Sequence, residues 1–190
     1  MKKNLIISIL MTIATTILLG IIYPLVVTAL AQVLFKDKAN GQLIVNNGQV
    51  VGSRIIGQAF TGPAYFHPRP SSAGNGYDAA NSNGSQLGPT NHALIDRVKT
   101  DVATNQTDNP KQPVPVDLVT SSASGLDPDI SPAAAEFQIA RVARERGTSE
   151  DQIKKLVDQH TQQRQLGFLG EPRVNVLELN LDLDARFPKK

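Results

Sequence analysis

"NLIISILMTIATTILLGIIYPLVVTALAQVLF", residues Asn4–Phe35, is a run of 32 residues without one charged side chain. A bilayer core roughly 30 Å thick needs about 20 helical residues to cross it. The run therefore predicts a transmembrane helix over residues 5–35, with Lys2, Lys3, Lys36 and Lys38 at its ends to meet the headgroups. A cleaved secretory signal competes with this reading. Lys2 and Lys3 form an n-region, and Ala29-Leu30-Ala31 is an A-x-A site before Gln32. The apolar run far exceeds the roughly 7–15 residues of a signal h-region, which favours a retained anchor.

Within the anchor, small or kinking residues recur at every fourth position: Ser8, Thr12, Thr16, Gly20, Pro24 and Thr28. Such a stripe drifts by about 40° per step around a helix of 3.6 residues per turn. It lets another helix approach closely, so Ser8, Thr12, Thr16, Gly20 and Pro24 are the expected partner-contact face. Gly20 and Pro24 together are expected to bend the helix. The two lysines and the amino group of the N-terminal flank outweigh Lys36 and Lys38 slightly. That margin puts the N-terminus in the cytoplasm and the following domain outside.

The anchor region, residues 1–38, carries four lysines and one aspartate, which leaves residues 39–190 with fifteen basic and sixteen acidic side chains. The basic character of the whole chain thus belongs to the anchor. No basic footprint remains for nucleic acid. Cysteine is absent, which excludes a disulfide framework and a thiolate metal site. About 150 residues make one domain around one core.

Its elements point to an α+β domain. Leu43-Ile44-Val45 and Val50-Val51 flank Asn46-Asn47-Gly48, a hairpin signal, and Arg54-Ile55-Ile56 reads as a third strand. Asn91 caps a helix with Leu94, Ile95, Val98 and Val102 on one face, followed by a polar loop over 104–113. Val114–Val119 reads as an edge strand because of Pro115. Ser131-Pro132 opens a helix that Gly147 ends, and Thr148 caps a second helix with Ile153, Leu156 and Val157 inward. Val174-Asn-Val176 and the alternating Leu177, Leu179, Leu181 and Leu183 read as a strand with a bulge.

Catalytic readings find little support. There is no G-x-x-x-x-G-K-[ST] loop for phosphates. Asp127-Pro-Asp129-Ile-Ser131 begins like a calcium loop but has Pro132 and Gln138 where Gly and Glu belong. His67, His92 and His160 lack metal-ligand spacing. Thr120-Ser121-Ser122-Ala123-Ser124-Gly125 sits between a strand and a helix without the G-x-S-x-G pattern. A secreted or membrane-anchored serine hydrolase using Ser122 or Ser124 is therefore the alternative function. The helix pair over 132–164 resembles helix-turn-helix, but Arg141, Arg144, Arg146, Lys154 and Lys155 alternate with Glu136, Glu145, Glu150 and Asp151 as on a solvated face.

Between hairpin and first domain helix lies Tyr65–Asn91, rich in Gly, Pro, Ser and Asn. A loop this long is functional or disordered. Tyr65, Phe66, Arg69 and Tyr77 are the residue types that dominate interfaces, so the segment reads as a partner-facing surface.

Several ordered blocks carry a resemblance. They are Gly52-Ser53-x-x-Ile56-Gly57-Gln58-x-Phe60, Tyr65-Phe66-x-x-Arg69-Pro70-Ser71 and Gly84-Ser85-x-Leu87-Gly88. Val114-Pro-Val-Asp-Leu-Val-Thr120, Ser124-Gly-Leu-Asp-Pro128 and Gln138-x-x-Arg141-Val-Ala-x-x-Arg146 follow. Leu166-Gly-x-x-Gly170-x-Pro-x-Val-Asn-Val-Leu-x-Leu-Asn-Leu181 closes the series, and the anchor adds Gly20-x-x-Tyr23-Pro24. Together they resemble the C subunit of the Kdp-type potassium-transporting P-type ATPase over nearly the whole chain. Departures are small: Asn83 and Gln86 stand where the family often has Gly and Asn, and Asp129 where it often has His.

The resemblance implies a bacterial inner-membrane complex. Its other members are a channel-like potassium-binding subunit, an ATP-hydrolysing subunit and a small membrane peptide, and ATP and potassium ion are handled by the complex. It implies a role in assembly and one as a catalytic chaperone raising the ATP affinity of the pump subunit. The aspartyl-phosphate signature Asp-Lys-Thr-Gly-Thr and the Thr-Val-Gly-Tyr-Gly filter are absent here. A non-catalytic accessory subunit is the expected result, acting by binding states of its neighbours with different free energy.

Overall fold

The uncharged run is helical throughout: α1 (Lys2–Ile17), a π segment (Leu18–Ile22) and α2 (Tyr23–Leu34). Together they are long and apolar enough to cross a membrane. No residue of either helix is buried by the rest of the chain. The irregularity expected at Gly20 and Pro24 takes the form of the π segment, in which the Tyr23 N–H reaches back five residues to the Leu18 carbonyl. Pro24 has no N–H, and its ring crowds the carbonyl four residues back. A π turn opens the ladder there. The Ser8 and Thr12 hydroxyls donate within the helix, to Asn4 O and Ser8 O, both at 2.9 Å. Neither carries an unmet donor to the helix surface.

In this computed structural model all residues are described except Asn47, Lys189 and Lys190. Two compact units are present, Met1–Val50 and Val51–Lys190. The first unit ends with the short helix α3 (Lys36–Ala39), strand β1 (Leu43–Asn46) and the start of β2 (Gln49–Ser53). The two strands pair as Asn46-Asn47-Gly48 predicts, Asn47 itself lying outside the described residues.

The second unit is built around α5 (Pro132–Arg146). The Ser131 hydroxyl accepts the Ala134 N–H at 3.0 Å, and Gly147 ends the helix at φ 65°. Helix α6 (Glu150–His160) folds back onto α5 with Ile153, Leu156 and Val157 buried. Short strands β3 (Asp129–Ile130), β4 (Thr161–Gln162) and β5 (Arg173–Asn175) form an antiparallel sheet in the order β3-β5-β4, with Val174 opposite both Ile130 and Thr161. Helix α7 (Val176–Arg186) follows β5 directly, and α4 (His92–Asp108) lies earlier in the chain. Phe66, Phe137, Ile130, Ile153, Leu156, Val174, Leu179 and Leu183 form the core. Burying a side chain of this kind stabilises by about 1.5–3 kcal/mol. The fold is α+β behind one N-terminal apolar helix, as the pattern of elements predicts.

Several local expectations are overturned. Arg54–Ile56 is a turn closed by a single Ser53–Ile56 bridge, not a third strand. Helix α4 runs on to Asp108, through half of the expected loop, because its polar residues bond along the helix: Thr104 to Thr100 O, Asn105 to Asp101 O and Thr107 to Thr104 O. Val114–Val119 is not a strand but a loop with one 3-10 turn over Val116–Leu118. Ser149, not Thr148, caps α6, in a capping box with Gln152. The expected bulged strand over Val174–Leu183 stops at Asn175, whose side chain accepts the Glu178 N–H and starts α7. Arg141 and Arg146, read as part of a solvated face, are 3% and 4% exposed.

Candidate functional site

Two amides from the helices hold the start of the glycine- and proline-rich segment as a neighbouring strand would. Asn180 on α7 accepts the Phe66 N–H and donates to the Phe66 carbonyl, both at 2.9 Å. Gln138 on α5 does the same to His67, at 2.8 and 3.1 Å. A backbone that would otherwise bury unpaired groups is thereby satisfied. Phe66, between these amides, points into the core and is fully buried.

Two buried guanidinium groups on α5 finish the clamp. Arg141 donates to the carbonyls of Pro63 at 2.5 Å and Tyr65 at 2.9 Å, and to Gln138 Oε1 at 2.7 Å. Its Nε is 2.9 Å from Asp108 Oδ2, close as an ion pair though not aligned as a hydrogen bond. Burial pushes the Arg141 guanidinium below its ordinary pKa, with Asp108 opposing. Arg146 donates to Ala64 O at 2.8 Å and Phe187 O at 2.9 Å, and lies 4.9 Å over the Tyr65 ring. The Tyr65 hydroxyl meets Asp184 at 2.9 Å, and Asp184 also pairs with Arg146 at 2.7 Å.

Further along, Arg69 pairs with Asp127 at 2.8 Å and donates to Thr120 O at 3.3 Å. Tyr77 donates its hydroxyl to the Arg69 carbonyl. Burial, with the Asp127 charge, raises that phenol well above its usual pKa against the pull of Arg69. The Ser71 hydroxyl donates to Gly125 O at 2.6 Å and accepts the Tyr77 N–H at 2.7 Å. Asn83 N–H and the Ser82 hydroxyl both reach Ser124 O. The expected contact residues Tyr65, Phe66, Arg69 and Tyr77 are thus brought together, but each also holds the segment's own shape. Sequence reasoning missed Gln138 and Asn180 as its fasteners.

Beside the clamp lies a cleft of about 530 Å³ lined by His67, Arg69, Tyr77, Asp101, Asn105 and Arg141, among others. Its charged groups already have partners: Arg69 with Asp127, Arg141 with Asp108, and Asp101 with Arg97 at 2.7 Å. His67 Nε2 lies 3.0 Å from Gly62 O. Burial and then Arg141 lower its pKa, against Gly62 and Asp108.

The alternative chemistries are not assembled. The Ser122 and Ser124 hydroxyls are 3.3 Å apart, and Ser124 accepts the Leu126 N–H. His160 pairs instead with Asp182, at 2.9 Å. Among the described residues no histidine ring is hydrogen-bonded to Ser121, Ser122 or Ser124. No group of three His, Asp or Glu side chains among them is placed to hold a metal.

An α+β domain whose buried charges serve its own fold, behind an apolar helix of membrane-crossing length, defines a membrane-associated subunit. The family model for KdpC, the c chain of the K+-transporting ATPase, matches residues 5–185, and the chain belongs to that family. The potassium-transporting ATPase KdpC subunit of Koribacter versatilis is 69% identical over 188 residues, covering 99% of this chain and 97% of that one. That of Acidobacterium capsulatum is 57% identical over 177 residues, covering 93% and 95%. That of Rhodopseudomonas palustris (strain BisB18) is 56% identical over 190 residues, covering 94% and 96%.

Proposed function

We propose that this chain is a non-catalytic accessory subunit of an ATP-driven, high-affinity potassium uptake pump, needed to assemble and stabilise it. Its partners in this reading are the channel-like potassium-binding subunit, the ATP-hydrolysing subunit, the small membrane peptide and the lipid bilayer. It crosses the bacterial inner membrane once, with its domain on the extracytoplasmic side. Any rise in the ATP affinity of the pump subunit is transmitted through contacts between subunits.

The observation that carries this reading is the state of the anchor. None of its residues is buried by the rest of the chain, and a Cβ added at Gly20 would meet only Thr16 Cγ2, at 3.9 Å. Space at Gly20 is therefore open for a neighbouring helix along Ser8, Thr12, Thr16, Gly20 and Pro24. Within the domain, Tyr65–Asn91 is the partner-facing surface. Half-buried Tyr65, Arg69 and Tyr77 offer their outer edges, and Phe66 supports them from beneath.

The test is co-purification of the pump in mild detergent from cells expressing all its subunits. Gly20→Leu fills the open space without a clash inside the chain. It is expected to leave the chain folded and to reduce its recovery with the other subunits. Undiminished recovery would overturn the stripe, and failure of the unaltered chain to co-purify would overturn the subunit reading. Because cysteine is absent, Asn75→Cys gives a clean label for orientation. Reaction with an impermeant maleimide on intact spheroplasts supports an extracytoplasmic domain, and reaction only after lysis refutes it.

A further inference from the structure

From Gln162 to Glu171 every side chain is exposed, so this stretch projects from the domain as an arm. Its tip is apolar: Leu166, Phe168 and Leu169 are 82%, 68% and 48% exposed. The turn is firmly made. Gln165 and Leu169 exchange both backbone hydrogen bonds at 2.9 Å, and Gly167 and Phe168 N–H groups bond back to Arg164 O and Gln165 O at 3.2 Å. Leu166 and Gly167 occupy the left-handed region, at φ 53° and 81°. Gly or Asn would fill the Leu166 position with less strain. Nothing in the fold is gained by an exposed leucine there.

We infer that the tip of this arm, Leu166, Phe168 and Leu169, is a preformed plug for an apolar pocket on the extramembrane surface of another subunit of the pump. The inference rests on the accessory-subunit reading above. Charge argues against lipid as the occupant. The only cation on the arm, Arg164, is engaged with Glu171 at 2.5 Å, whereas binding to anionic headgroups relies on unpaired Lys and Arg. Area argues against a second copy of this chain. Three side chains cover a few hundred Å² at most, against the roughly 800 Å² per partner of a self-sufficient interface. A contact that small is useful where the partner is already held nearby. A shared membrane provides that, through the high effective concentration of a tethered site. The rigid turn keeps the ordering cost low.

Phe168→Ser and Leu166→Gly test this in the full chain co-expressed with the other pump subunits. Both sites lie in solvent, so the thermal unfolding of the purified chain is expected to stay unchanged, which separates docking from folding. Phe168→Ser should raise the detergent dilution-induced dissociation of the chain from the complex by about tenfold or more, the scale for truncating a central interface aromatic. A photoreactive phenylalanine analogue at position 168 should crosslink to another pump subunit. A crosslink to lipid, a crosslink to a second copy or none at all, while the pump still assembles, would overturn the plug and leave the subunit reading standing. If the unaltered chain does not assemble with the pump, it is the subunit reading that falls.

Discussion

Asn180 offers the sharpest perturbation. It is 1% exposed, and its amide is the partner of both Phe66 backbone groups. Asn180→Ala leaves a buried N–H and a buried carbonyl without partners, at about 1–3 kcal/mol each, so about 2–6 kcal/mol in all. At roughly 3–4 °C per kcal/mol for a unit of this size, Tm should fall by about 6–20 °C. Asn180→Asp keeps the shape and the acceptor but sets a carboxylate oxygen against the Phe66 carbonyl. Burial raises the folded-state pKa of such an aspartate above its unfolded value of about 3.9. Its penalty is then full at neutral pH and shrinks as pH falls toward the unfolded pKa, where the acid regains a donor. The assay is thermal unfolding of the full chain in detergent, with hydrogen exchange read over residues 63–77. A Tm for Asn180→Ala within about 2 °C of the unaltered protein, or unchanged exchange protection at Phe66, would refute the clamp.

Two further perturbations probe the same scaffold. The folded-state pKa of His67 lies below its ordinary 6.5, so unfolding takes up protons as pH falls below the unfolded value. Its contribution is complete above about pH 6.5 and declines below it, and His67→Gln should flatten that part of the dependence when urea midpoints are compared at about pH 7.5 and about pH 5.5. Gly125 and Gly147 have nearly the same backbone, φ 67° and 65°, but a Cβ at Gly125 would lie 2.5 Å from Asn83 O and 2.7 Å from Ala73 N, whereas one at Gly147 meets nothing within 4 Å. Gly147→Ala should cost about 1 kcal/mol from conformation alone, and Gly125→Ala clearly more; equal urea midpoints for the two would contradict the packing at Ser71–Gly125.

Signals that act over a few residues were legible. The uncharged run reads as a helix because nothing in it favours another structure, and Ser131-Pro132 and Gly147 mark the ends of α5 by chemistry completed within one turn. The segment from Tyr65 was harder, because composition does not distinguish slack chain from a fixed path. What fixes it are side chains far away in sequence, Gln138 by 71 residues and Asn180 by 114. Arg141 and Arg146 misled for a related reason. Their alternation with Glu145 and Glu136 looks like a solvated face, but carbonyls at Pro63, Ala64 and Tyr65 give both guanidinium groups a buried destination.

The misreading at the C-terminus shows why this clamp was invisible. Val174–Leu183 alternates so regularly that a strand face of Leu177, Leu179, Leu181 and Leu183 follows, which puts Asn180 on the polar side. Asn175 breaks that pattern by capping α7. In the helix the buried positions become Val176, Leu177, Leu179, Asn180 and Leu183, a spacing of three and four that carries Asn180 inward. The hydrophobic periodicity thus hid the polar residue on which the segment depends. Strengthening the strand reading, by changes that favour extended structure at Glu178 and Asp182, should weaken α7 and the hold on Phe66 together. Loss of helix without release of residues 63–77 would show that Phe66 is held in place by the core alone.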